Sequence, residues 1–258
     1  KTGTLTQDKI ILKLHLNIYG DENEEVLDFA YLNSFYQTGL KNLLDVAVLE
    51  HIDLAEKLKL EHEFRKIDEI PFDFMRRRMS VVVEESNHHH ELICKGAAEE
   101  ILSVCTSVKV NDRILPIDDA IRAQVDRLKQ DLNQDGFRVI AVAYKEIPLD
   151  RLTYSVVDEN DLILIGYIAF LDPPKDSTMA ALTALDRNGI QVKILTGDNE
   201  IITRKVCKDV GLYIHHTLLG NEVEALSDAE LAEVAEHTTV FVKLSPLQKS
   251  RIIQVLRN

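Results

Sequence analysis

Three short stretches of this chain carry groups suited to holding a phosphoryl group. The first is Lys1-Thr2-Gly3-Thr4-Leu5-Thr6, where glycine and three threonines offer backbone N–H groups and hydroxyls in a short loop. The second is the polar turn Thr196-Gly197-Asp198-Asn199, which follows the strand-like residues 191–195. The third is Lys249, one turn after Ser245-Pro246-Leu247-Gln248, a cap serine, a proline at the first helical position and a glutamine three residues past the cap. An ammonium and a positive helix end can there converge on one anion. A different chemistry is written in Pro71-Phe72-Asp73-Phe74-Met75-Arg76-Arg77-Arg78, where aromatic rings stand beside three arginines. An aromatic face can stack on a base, and guanidinium groups meet phosphates in a bidentate way. Lys95-Gly96-Ala97 follows a strand-like run, and glycine there permits close approach of a ligand.

The elements that must position these groups fall into two patterns. In the last third, the apolar run Leu162–Leu171 suits a strand buried on both faces, and a helix starts near Asp176. Residues 191–195 and 239–242 read as further strands. A helix carries Ile202, Val206 and Val210 at four-residue spacing, and Ser227-x-x-Glu230 opens another. Strands alternating with helices imply a parallel sheet with crossover helices. Residues 10–155 read instead as α+β with antiparallel pairing: helices over 26–38, 43–58, 97–105 and 121–132, a hairpin of 79–85 with 91–94, and a strand over 138–144. The acidic residues 157–161 read as a mobile separator. The resulting division is 1–8, an inserted domain over 9–160, and 161–258, with the first segment joining the C-terminal sheet.

The net charge of −13 argues against nucleic acid as a partner. Cys94, Cys105 and Cys207 show no metal-ligand spacing and read as free or buried thiols of a reducing compartment. The longest apolar run, Leu162–Leu171, falls short of the ~20 residues of a membrane span and reads as a buried strand; the fragment itself is expected to be soluble and monomeric. His88-His89-His90 sits at the polar hairpin tip, where successive side chains alternate faces; it reads as solvent-exposed rather than as a metal site. Asp8, Asp112, Asp118 and Asp119 read as caps and turns.

Taken in order, these motifs resemble those of P-type ATPases. Residues 1–6 resemble the signature loop Asp-Lys-Thr-Gly-Thr-Leu-Thr without its leading Asp, the nucleophile that takes the γ-phosphoryl of ATP in that family. The resemblance implies that the chain is cut from a longer protein, with the nucleophile just before Lys1. It implies a haloacid-dehalogenase-like phosphorylation domain with an inserted nucleotide-binding domain. The implied catalytic set is Lys1, Thr2, Thr4, Thr196, Gly197, Asp198 and Lys249, with Asp172-Pro173-Pro174 matching the hinge motif whose Asp lies near the phosphorylation site. The implied ATP-binding set is Phe72 against the adenine, Lys95 and Gly96 at the base of the pocket, and Arg77, Arg138, Asp45 and Asp172. Asp45 stands where the family usually has Glu, Arg77 where many relatives have Lys, and Lys243 where many have Arg. The implied Mg²⁺ would take the Thr2 carbonyl, the missing Asp and an Asp of a Gly-Asp-Gly-x-Asn-Asp motif beyond Asn258. A fragment without those carboxylates is expected to bind ATP and not to phosphorylate itself.

The wording of residues 70–78, 93–97 and 136–139 is similar to the bacterial magnesium-transporting branch. That places the full protein at the cytoplasmic face of the bacterial inner membrane, with its transmembrane and actuator domains as partners. The expected mechanism is a clamp with hinges near residues 6–9 and 157–161. Two other readings stay open: a phosphatase of the same fold, and a non-catalytic nucleotide-sensing module.

Overall fold

Near-continuous apolar runs such as Leu162–Leu171 dictate a sheet buried on both faces, and the computed structural model shows one. It describes residues 4–7, 9–51, 63–85, 89–111, 113–148 and 151–257. The chain divides into two compact units, Ile10–Leu132 with Arg138–Leu171, and Lys1–Lys9 with Asn133–Phe137 and Asp172–Asn258.

The larger unit is built on β1 (Ile11–Leu16), β2 (Phe64–Asp73), β3 (Arg78–Glu85), β4 (His90–Ala97), β5 (Cys105–Val110), β6 (Arg113–Pro116), β7 (Arg138–Ile147) and β8 (Leu162–Leu171). Their order is β2-β3-β4-β7-β8-β5-β6, and β1 pairs with the far end of β8. All these pairings are antiparallel except β5 with β8. On one face, Val81, Val83, Ile93, Val142, Ile165, Ile168 and Phe170 join Val26 and Ala30 of α1 (Glu24–Tyr36) and Ala47 and Val48 of α2 (Leu43–Leu49) in one core. Their neighbours Val82, Leu92, Cys94, Ala141 and Ala143 point to the other face and are buried too. On the chain between β4 and β7 lie α3 (Ala98–Leu102) and α4 (Asp119–Gln134).

The run Leu162–Leu171 is the doubly buried strand its composition demands, but its partners differ from those expected. It lies antiparallel to β1 and β7 inside the larger sheet, not at the head of the parallel one. A continuous apolar run reports that both faces are covered; it does not report which strands lie alongside. Gly166 marks where β1 and β5 share one edge of β8, since a Cβ there would clash with the Leu16 carbonyl oxygen.

Residues 157–161 also depart from expectation. They are no mobile separator: a 3₁₀ turn, Val156–Asp158, is closed by a Ser155–Asp158 capping box, and Asp158 and Glu159 are buried. Lys145 donates to the carbonyls of Asp158 and Asn160. His90, expected in solvent, is buried and bonded through Nδ1 to the Tyr154 hydroxyl at 2.6 Å. Acidity and polarity suggested exposure; long-range basic and aromatic partners reverse it.

The smaller unit has the alternation expected of parallel pairing: α5 (Thr178–Arg187), β9 (Ile194–Leu195), α6 (Glu200–Asp209), β10 (Thr217–Leu219), α7 (Gly220–Ala225), α8 (Asp228–His237), β11 (Val240–Val242) and α9 (Pro246–Val255). The sheet is parallel, in the order β10-β11-β9. Val240 and Val242 face a core with Leu5, Ile194 and Cys207, while Phe241 faces a second core with Leu218, Leu231 and Ile252.

Candidate functional site

In the larger unit, antiparallel pairing brings the end of β2, the start of β3, the end of β4 and the start of β7 to one end of the sheet. Arg78 lies opposite Gly96, and Ala97 lies opposite Ile140, two residues from Arg138. The β2–β3 turn is folded by Asp73, whose Oδ1 accepts from the Met75 and Arg76 N–H groups, both at 2.9 Å. The Arg76 N–H, ahead of that of Met75, holds the Asp73 carboxyl below its ordinary range. The turn leaves Phe72 half-exposed, with Phe74 against it edge-on at 5.4 Å.

Behind the turn is a buried polar cluster. Lys95 donates to Asp45 and to the Ser34 hydroxyl, and that hydroxyl donates to Asp45 at 3.2 Å. Asp45 is also fixed as N3 of α2: Asn42 caps that helix, and the Asn42 N–H donates back to Asp45 at 3.2 Å. Burial pushes the Lys95 ammonium below its ordinary range, opposed by the charge and hydrogen bond of Asp45. Gly96 admits no side chain, because a Cβ would lie 2.5 Å from the Arg77 carbonyl oxygen. The same carbonyl accepts from the Ala97 N–H at 3.0 Å.

The three arginines are not equivalent. Arg76 and Arg78 both bind the buried carboxylate of Glu159, the latter at 2.8 Å, and Ser80 donates to its other oxygen at 2.8 Å. Arg76 further donates to the Pro71 carbonyl at 2.7 Å, next to Phe72. Only Arg77, in a left-handed backbone conformation with φ 49°, is turned away from this clamp. Its guanidinium lies 3.6 Å from Glu100. Sequence reasoning missed Ser34, Glu100 and Glu159; each acts through a pairing across the fold, which leaves no local pattern.

In the smaller unit, two loops at the carboxyl ends of parallel strands are zipped together. The Thr196 N–H donates to Phe241 at 2.9 Å, Leu244 donates to the Thr196 carbonyl at 3.0 Å, and Lys243 donates to that of Asp198 at 2.9 Å. Within the first loop the Thr196 hydroxyl donates to Asp198 at 2.9 Å and accepts from its N–H at 3.1 Å. Gly197 leaves ordinary contact distance to the Leu244 carbonyl, 3.4 Å from where a Cβ would sit. Ser245 caps α9 in the expected box with Gln248, which puts Lys249 in its first turn, half-buried. The structure therefore brings the Thr196–Asp198 loop and the Lys249 helix start together at the end of the sheet where open α/β folds place ligands. Thr4 is exposed in a turn, while Leu5 behind it accepts through its carbonyl from the Lys175 N–H at 3.0 Å and the Thr178 hydroxyl at 2.8 Å. Gln7 donates to the Pro173 carbonyl at 2.8 Å, so residues 4–7 lie along the segment that follows Asp172, itself buried. Lys1, Thr2, Gly3 and Asp8 lie outside the described residues, and with Thr2 the one expected metal ligand of the chain. Asp112 and His88 do so too.

The half-exposed Phe72 and the buried Lys95 lie in the larger unit, and the bonded Thr196–Asp198 loop lies on the parallel sheet of the smaller one. The family model "P-type ATPase, cytoplasmic domain N" matches residues 38–177, and the chain belongs to that family. Over its whole length it is 54% identical to the magnesium-transporting ATPase, P-type 1, of Escherichia coli K12. It is 44% identical to a protein of the same name from Salmonella typhimurium LT2, and 29% identical to calcium-transporting ATPase 1 of Bacillus cereus. The chain spans about 29% of the length of the two magnesium-transporting relatives. Among the described residues, no helix is long and apolar enough to cross a membrane.

Proposed function

We propose that this chain is the ATP-binding and phosphorylation part of an ATP-driven cation transporter, magnesium being the cation, working through an aspartyl-phosphate. The larger unit takes the nucleotide, with Phe72 on the base, Lys95 at the foot of the pocket, and Arg77 and Arg138 toward the phosphates. The smaller unit, read as the haloacid-dehalogenase-like phosphorylation domain, handles the phosphoryl group. There Thr4 and Thr196 present hydroxyls, Gly197 keeps the loop open to the ligand, Asp198 fixes that loop, and Lys249 neutralises charge. Lys1 and Thr2 belong to the same set by resemblance, as does Asp172. The donor set suits ATP: an exposed aromatic face, a buried ammonium and a reachable guanidinium match a base carrying a polyanion. The ligands that the resemblance implies for Mg²⁺ lie outside the described residues. The transmembrane and actuator domains of the same polypeptide, at the cytoplasmic face of the membrane, are the proposed partners.

The observation that carries this reading is the Asp45–Lys95–Ser34 cluster at the sheet end that also presents Phe72 and Arg77. A phosphatase of the same fold has no use for that pocket, and a nucleotide sensor none for Thr196, Asp198 and Lys249. Titration of the chain with a fluorescent ATP analogue tests it. Saturable binding, displaced by ATP and weakened by Phe72→Ala, is expected; a Phe72→Ala titration identical to the parent would remove the ring from the site.

A further inference from the structure

Three consecutive arginines next to a nucleotide pocket invite the assumption that all three meet phosphate. The geometry separates them. Arg76 and Arg78 share the carboxylate of Glu159, whose side chain has no exposure, so freeing either would strand a buried charge. Arg77 is held differently. Its backbone is pinned by the Ala97 N–H at 3.0 Å and by the absence of any side chain at Gly96. Its side chain is 41% exposed and can be reached by a ligand.

What Arg77 meets is Glu100, in the helix α3 that follows Lys95-Gly96-Ala97. The separation of 3.6 Å exceeds the roughly 2.7–2.9 Å of a charge-assisted hydrogen bond, so the pair is loose. Among the described residues, the second carboxylate oxygen of Glu100 is buried without a hydrogen-bond partner. Glu100 thus has one buried, unpartnered oxygen and one loosely paired with the one arginine of the three that is not clamped. A polyphosphate approaching Arg77 must share that cation with Glu100 or displace it, and a bidentate phosphate offers the guanidinium the better geometry.

We propose that Glu100 is the counter-charge from which the phosphates of the nucleotide take Arg77, so that this carboxylate sets the affinity for the polyphosphate without contacting the base. The inference rests on the ATP site proposed above. Glu100 is a positioning residue in this scheme: it holds the guanidinium at the rim of the site when no phosphate is present and competes for it when one arrives.

The test compares ATP and adenosine binding to the chain by calorimetry for the parent, Glu100→Gln, Arg77→Gln and the double variant, with thermal midpoints recorded alongside. Glu100→Gln keeps the shape and removes the charge. It should tighten ATP about three- to tenfold, the range expected for losing one partly exposed competing charge. Adenosine affinity should stay unchanged, and the gain in ATP affinity should vanish in the Arg77→Gln background. Unchanged or weaker ATP binding by Glu100→Gln overturns the proposal. So does a gain shared equally by adenosine, or a gain that survives Arg77→Gln. A parent that binds neither ATP nor adenosine overturns the ATP site itself, which distinguishes that failure from failure of the exchange.

Discussion

Lys95 and Lys249 are held in opposite ways, and the contrast extends to the units around them. Lys95 is buried, paired with Asp45 and pushed toward its neutral form by burial. Lys249 is half-buried in the first turn of a capped helix, and among the described residues no carboxylate pairs with it. The larger unit fixes its charged groups in closed networks, Asp45 with Lys95 and Glu159 with Arg76 and Arg78. The smaller unit fixes its loops through backbone bonds and helix caps, with the Thr196 hydroxyl bonded to Asp198. Closed networks suit a pocket that must keep one shape for a bound ligand. A lysine at a rigid, capped helix start suits a site whose partner is a transient charge.

The sharpest way to break this comparison is to open one network. Glu159→Ala leaves two partly buried guanidinium groups and the buried Ser80 hydroxyl without their anion and should cost about 3–5 kcal/mol in urea unfolding of the larger unit. An unfolding midpoint equal to that of the parent would mean that the clamp is not closed.

A second measurement uses pH. Glu91, buried on β4 opposite Glu146, is raised from 4.5 to about 8, first by burial, then by Glu85, Glu146 and Glu25, with Lys109 opposing. The folded state keeps a proton that the unfolded chain releases near 4.5, so this contribution is full below 4.5 and is lost as pH rises through about 8. The loss should be a few kcal/mol, and Glu91→Gln should flatten the stability profile between those limits. A Glu91→Gln profile parallel to the parent's would refute it.

Phe72→Ala should weaken ATP binding by about 1–3 kcal/mol, the range for base–aromatic stacking, with little change in melting because the ring is half-exposed. The smallest effect belongs to the smaller unit. Ser245→Ala removes the α9 cap and should cost about 1 kcal/mol of stability. Calorimetry resolving the two units should assign that loss to the smaller one.

What the sequence disclosed and what it hid follow from the range of the interactions. Caps are local, so the Ser227–Glu230 and Ser245–Gln248 boxes were legible to the residue. The hairpin of β3 and β4 and the strand β7 were also legible, from their apolar alternation. Strands of the larger unit with mixed composition escaped: β2 exposes Phe72 and Pro71, and β6 carries little apolar surface. Glu159 was read as linker because its partners lie about eighty positions earlier. The expected helix over 43–58 is observed as α2 to Leu49, and residues 52–62 lie outside the described set. In the candidate site, residue types suggested Phe72, Lys95 and Arg77, but only folding reveals that two of three arginines are already spoken for.

The register of β1 against β8 places Ile11 opposite Leu171. Apart from the excursion of Asn133–Phe137, the chain therefore enters and finally leaves the larger unit along two adjoining, hydrogen-bonded strands. Such pairing leaves the ends of residues 10–171 side by side within one sheet. That stretch is a natural cassette, suited to excision or to circular permutation through a short bridge, and a tug on either strand is shared by its neighbour.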